Sequence, residues 1–205
     1  MATAFRRRGR GAERRYVATL DADERRVLAS LMDQVHDLLE PPETTSTGDD
    51  AFDDLVAGLD LGGEPAPAAP PAPAEPPQER DPALDRLLPT ANREDDEAAA
   101  EFRRLTEGGL RHRKAGALAT ASAALRHDED RVSLDADEAR AFLTALTDVR
   151  LVLGERLQLR GDEDLELLER AASSLEEGEP LHQLLALYDF LTWLQETLAD
   201  ALLRG

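Results

Sequence analysis

The residues able to do chemistry in this chain are few and scattered. Its four histidines are His36, His112, His127 and His182, and none shows His-x-x-x-His or Glu-x-x-His spacing. Such spacing would set two ligands on one helix face toward a metal. Without it, the histidines read as solvated or capping side chains. Cysteine is absent, which excludes disulfides, a thiol nucleophile, a zinc knuckle and an iron–sulfur site. Asp95, Asp96, Glu97 and Glu101 are the weak metal candidates, because hard cations take oxygen ligands. No loop fixes their geometry, however, and acids in a first helical turn serve the helix dipole equally well. There is no glycine-rich phosphate loop and no Gly-x-Ser-x-Gly elbow. No catalytic residue and no cofactor is therefore assigned, and the chain reads as a non-enzyme.

Binding surfaces are the better candidates. Arg111, His112, Arg113 and Lys114 form the densest basic run in the folded part. Four consecutive helical residues cannot share one face, so this run divides between a phosphate- or acid-binding patch and neutralisation by the acidic stretch 94–107. Phe52 and Leu55 begin a short amphipathic run that could dock on a partner. Tyr188 and Trp193 are five apart on the last helix, so they share no single stripe, and core packing competes with recognition for both.

The charge balance limits the partners. Twenty-four basic residues face 43 acidic ones, for a net charge of −19. Such a field repels phosphate, which opposes general nucleic-acid coating, and steers the chain toward basic protein surfaces. Residues 41–79 carry nine acids and no base, and seven prolines fall between Pro65 and Pro77. No run approaches 18 apolar residues, so no membrane span is expected. The start has arginines but no apolar signal core, so a cytoplasmic location is expected.

These features sit on a mainly all-α framework. Residues 1–13 read as a disordered basic tail. Residues 14–40 plus 80–205 read as one compact multi-helix domain. Residues 43–79 read as a long disordered, acidic, Pro/Ala-rich insertion. Tyr16–Leu20 and Arg131–Leu134 are β-prone and could pair as a minor two-stranded ribbon. Each runs into the same five residues, Leu-Asp-Ala-Asp-Glu, at 20–24 and 134–138, a capping-box spacing with aspartate as cap. Helices are expected over about 22–39, with Val27, Leu28, Leu31, Val35, Leu38 and Leu39 inward, then from Pro82, over 92–106 and over 110–125. Gly108-Gly109 is expected to separate the last two. Further helices follow Asp135 and Asp162, and a final one covers 181–203. That last helix is apolar on most sides, which suits a central core position or a homo-oligomer interface.

Three segments carry a resemblance. Asp81-Pro82-Ala83-Leu84-Asp85-Arg86-Leu87-Leu88-Pro89-Thr90-Ala91, Glu97-Ala98-Ala99-Ala100-Glu101-Phe102-Arg103 and Leu187-Tyr188-Asp189-Phe190-Leu191-Thr192-Trp193-Leu194-Gln195-Glu196-Thr197-Leu198 resemble an actinobacterial domain family of unknown function. That family is typically encoded beside the protease adaptor ClpS and includes the oxidative-stress regulators, or AosR-like proteins. The resemblance implies a soluble, mainly helical, cytoplasmic protein. In the stress regulators it also implies a cysteine-pair switch and association with a sigma factor. With no cysteine here, the switch transfers to no residue. What remains is a non-enzymatic regulatory or protein-interaction role, with a protein partner such as the transcription machinery. A DNA-binding regulator using Arg111–Lys114 is the alternative, and a carboxylate-based metal enzyme the lesser one.

Overall fold

The computed structural model describes residues 2–40, 81–89, 96–127, 130–172 and 179–204. Within Met1–Glu40 and Asp81–Gly205, which form one compact unit, the described residues form six α-helices and a small sheet. The elements are β1 (Arg6–Arg8), β2 (Arg15–Thr19), α1 (Ala22–Leu39), α2 (Pro82–Leu87), α3 (Asp96–Leu125), β3 (Arg131–Leu134), α4 (Ala136–Arg156), α5 (Asp162–Ala172) and α6 (Pro180–Leu203). The mainly helical class holds. The insertion expected over 43–79, with Phe52 and Leu55, lies outside the described residues.

The repeated five-residue runs fold alike. Asp21 and Asp135 each accept from the backbone N–H groups two and three residues on, while Glu24 and Glu138 accept from the cap N–H in return. Each box satisfies helix-start donors that have no partner within the helix. The two β-prone runs do pair, antiparallel, with Tyr16 opposite Leu134 and Thr19 opposite Arg131. The sheet nevertheless has three strands, in the order β1-β2-β3.

The additional strand corrects the reading of residues 1–13 as disordered. Arg6 pairs with Val17 and Arg8 with Arg15, and the Thr3 N–H donates to the Thr19 carbonyl at 2.8 Å. Phe5 is the anchor. It is buried and meets Phe142 edge-on, with centroids 5.7 Å apart. Burying one such ring contributes about 1.5–3 kcal/mol, which composition dominated by arginine conceals.

The break expected at Gly108-Gly109 is also absent, and α3 runs through both glycines. Each costs about 1 kcal/mol relative to alanine in a helix. Packing against α1 and α4, the most extensive helix contacts in the unit, overrides that cost. Helices α1 and α3 are antiparallel and close each other's ends. Arg25, on α1, donates to the carbonyls of Leu125 and His127 where α3 stops. Arg111, on α3, donates to the Leu39 carbonyl where α1 stops, at 2.9 Å. Both cations sit at negative helix ends, where the last carbonyls have no partner within the helix.

The core joins one face of the sheet to α1, α3, α4 and α6. Tyr16, Leu20, Leu28, Met32, Leu118, Leu134, Phe142, Leu146, Leu191 and Leu194 are fully enclosed. Val27, expected inward, is 46 % exposed, and Met32 occupies the stripe instead. No helix among the described residues is long and apolar enough to cross a membrane.

Candidate functional site

Helices α1 and α4 leave an apolar groove between them. From α1 come Leu31, Gln34, Val35 and Leu38; from α4 come Val149, Val152, Leu153 and Arg156; Leu184 of α6 closes one side, around a volume of about 320 Å³. The spacing explains the shape. Leu31, Val35 and Leu38 fall at i, i+4 and i+7, and Val149, Val152, Leu153 and Arg156 at i, i+3, i+4 and i+7. Each set is therefore one row along its helix. Val35, Val149 and Leu153 are buried and make the floor. Leu31, Leu38 and Val152 are half-buried, and Leu184 is exposed, so they make the walls. Gln34 and Arg156 supply the polar rim, and Arg156 is held by Asp81 at 2.5 Å. That guanidinium lowers the Asp81 carboxyl below its ordinary value, chiefly by hydrogen bonding.

The basic run on α3 is divided by the fold. Arg111 turns to Glu107, at 2.7 Å, and to the end of α1. Lys114 turns inward to Asp148 of α4. Only His112 and Arg113 face solvent fully. Helical periodicity predicts such a split, but the sequence does not show which members find partners. Asp148 is fully buried, and burial raises its carboxyl above the ordinary value, with the Lys114 hydrogen bond opposing.

On α6, Tyr188 is half-buried beneath Arg150, whose guanidinium lies 5.1 Å from the ring centroid. Arg150 continues to Gln195 at 2.8 Å, and Gln195 to Thr147 at 3.2 Å, so Tyr188 belongs to the α4–α6 joint. Trp193 projects further, 36 % exposed, and stacks on Phe190 with centroids 6.0 Å apart. Tyr188 and Trp193 thus do not converge, as their five-residue separation requires.

The carboxylate candidates Asp95, Asp96, Glu97 and Glu101 have side chains outside the described residues. Among those described, no three His, Asp or Glu side chains gather as metal ligands. Of the histidines, His36 lies 3.7 Å from Asp37 and 3.9 Å from Glu40 at the end of α1.

Residues 2–202 match the family described as a domain of unknown function, DUF2017. No curated protein and no solved structure matches the chain.

Proposed function

The chain belongs to the DUF2017 family, and from that premise we propose that it is a non-enzymatic interaction protein whose α1–α4 groove receives an amphipathic helix of a regulatory partner. The observation that carries this reading is the groove itself, with an apolar floor, two walls at helical spacing and a polar rim. Helix-in-groove recognition uses such a trough, filled by partner side chains at i, i+3, i+4 and i+7.

The setting we propose is cytoplasmic, in transcription or stress-response control without a thiol switch. Its support is the sequence resemblance to the actinobacterial oxidative-stress regulators. A DNA-binding role for Arg111–Lys114 has weaker support, because Arg111 and Lys114 are already bound within the fold.

In-cell photo-crosslinking tests the groove. A crosslinker at Gln34 is expected to trap one recurring protein, and Val152→Asp is expected to reduce that band about tenfold while the thermal midpoint stays near that of the parent chain. The same crosslinker at Arg140, exposed elsewhere on α4, should not trap it. Equal bands from both positions, or a band unchanged by Val152→Asp, would overturn the reading.

A further inference from the structure

The outer face of the sheet is the second surface without an explanation in the fold. Tyr16 and Ala18 of β2 point into the core, so Arg15, Val17 and Thr19 point away from it. The register then places Arg6 beside Val17, Arg8 beside Arg15, and Arg131 beside Thr19, all on that outward side. Cross-strand partners share a face. Four arginines therefore cover one face of a three-stranded sheet in a chain of net charge −19.

Most other arginines on described residues have carboxylate partners, such as Arg86 with Glu155 and Arg126 with Asp33. Arg6, Arg8 and Arg131 are exposed and make no ion pair among the described residues. Arg15 is partly balanced, since its charge helps to lower the Asp135 carboxyl. Arg8, directly opposite it, faces a like charge, an arrangement that destabilises a sheet. Arg6, Arg8 and Arg131 line one concavity of about 560 Å³ with Thr3, Val17 and Thr19.

We propose that this arginine-covered sheet face binds an acidic, extended segment of a partner protein. Arg6 and Arg8 are two residues apart on β1, about 6.8 Å, which is also the spacing of alternate side chains in an extended peptide. Guanidinium forks hold carboxylates in fixed geometry, and such charge-assisted bonds are the strong ones.

The surroundings favour a short acidic peptide over nucleic acid. At its far end β2 runs into Asp21, Asp23 and Glu24, and β3 into Asp135, Asp137 and Glu138. Because the strands are antiparallel, one acidic helix start follows each end of the β2–β3 pair, which is only five residues of β2, about 17 Å, long. A duplex with one charge per roughly 1.7 Å would carry phosphates onto those acids. Among the described residues no aromatic ring lies on the outer face to stack a base, as single-strand binding needs.

Fluorescence anisotropy with the full chain at low salt tests the assignment. The probe is a labelled eight-residue peptide with aspartate at alternate positions; its asparagine counterpart, an eight-nucleotide single strand and a DNA duplex complete the set. Saturable binding of the aspartate peptide alone is expected, weakened about tenfold or more by Arg8→Gln with Arg131→Gln and unchanged by Arg113→Gln. Unfolding midpoints of the variants should match that of the parent chain. No saturable peptide binding, equal loss with Arg113→Gln, or tighter binding of either DNA would overturn it. This face shares no residue with the α1–α4 groove, so the two readings fail separately.

Discussion

Lys114, the chain's one lysine, reaches from α3 to the fully buried carboxylate of Asp148 on α4 and donates to its Oδ1. The second oxygen, Oδ2, is buried without a hydrogen-bond partner among the described residues. A charge pair so enclosed gains attraction at the expense of hydration, and removing one member strands the other. Lys114→Met is expected to destabilise the chain by about 3–5 kcal/mol, while Lys114→Met with Asp148→Leu should recover most of the loss. Urea unfolding of the single and double variants measures the coupling.

The same pair gives a pH dependence of known sign. Burial holds the Asp148 carboxyl above its ordinary value of 3.8. A raised carboxyl favours the folded state fully below the ordinary value, and that contribution fades as pH rises through the raised one. Asp148→Asn should therefore gain stability relative to the parent chain as pH climbs across that window. Asp81, lowered by Arg156, acts with opposite sign: its contribution is present above the ordinary value and disappears as pH falls through the lowered one. Asp81→Asn should flatten the acid limb of the stability profile, read from thermal midpoints.

The two capping boxes invite a paired comparison. Asp21→Ala and Asp135→Ala each remove a side chain that accepts from two backbone N–H groups. Each should lower the denaturant midpoint, and the double variant should show the sum, because the boxes share no partner. Both carboxyls are lowered, first by the backbone donors of Glu24 and Glu138 respectively, so the difference from the parent chain should shrink as pH falls.

Phe5 offers a direct test of the N-terminal segment. Phe5→Ala removes a buried ring from its contact with Phe142 and should cost about 3–5 kcal/mol. Arg7→Ala, exposed on β1, should stay within about 0.5 kcal/mol. Equal and small effects from both would show that the segment contributes nothing to the core.

Local chemistry was the legible part of this fold. The helix α1 spans the 22–39 that its apolar spacing and its Asp21–Glu24 box predict, and β3 covers the expected 131–134. What escaped depended on distant partners. Nothing near Phe5 marks it as core, because the ring is buried by α4, far along the chain. Gly108-Gly109 reads as a stop, yet α3 runs through both and is held by the packing of its later turns on α1 and α4. Arg25 carried a usable signal, a charge in the apolar row with Leu28, Met32 and Val35, which is satisfied only when the end of α3 arrives. The groove was illegible for a similar reason: its rows were visible in α1 and α4, but the gap between them belongs to neither.

The repeated five-residue run has a geometric consequence. Leu20 in the first copy corresponds to Leu134 in the second, and on the same offset Ala18 corresponds to Val132. Those two residues are partners in the β2–β3 register. A local dyad therefore passes between Ala18 and Val132, and rotation about it carries each strand and its capping turn onto the other. The chain meets itself across this ribbon as two identical subunits meet in an isologous dimer, with β1 added on one side only.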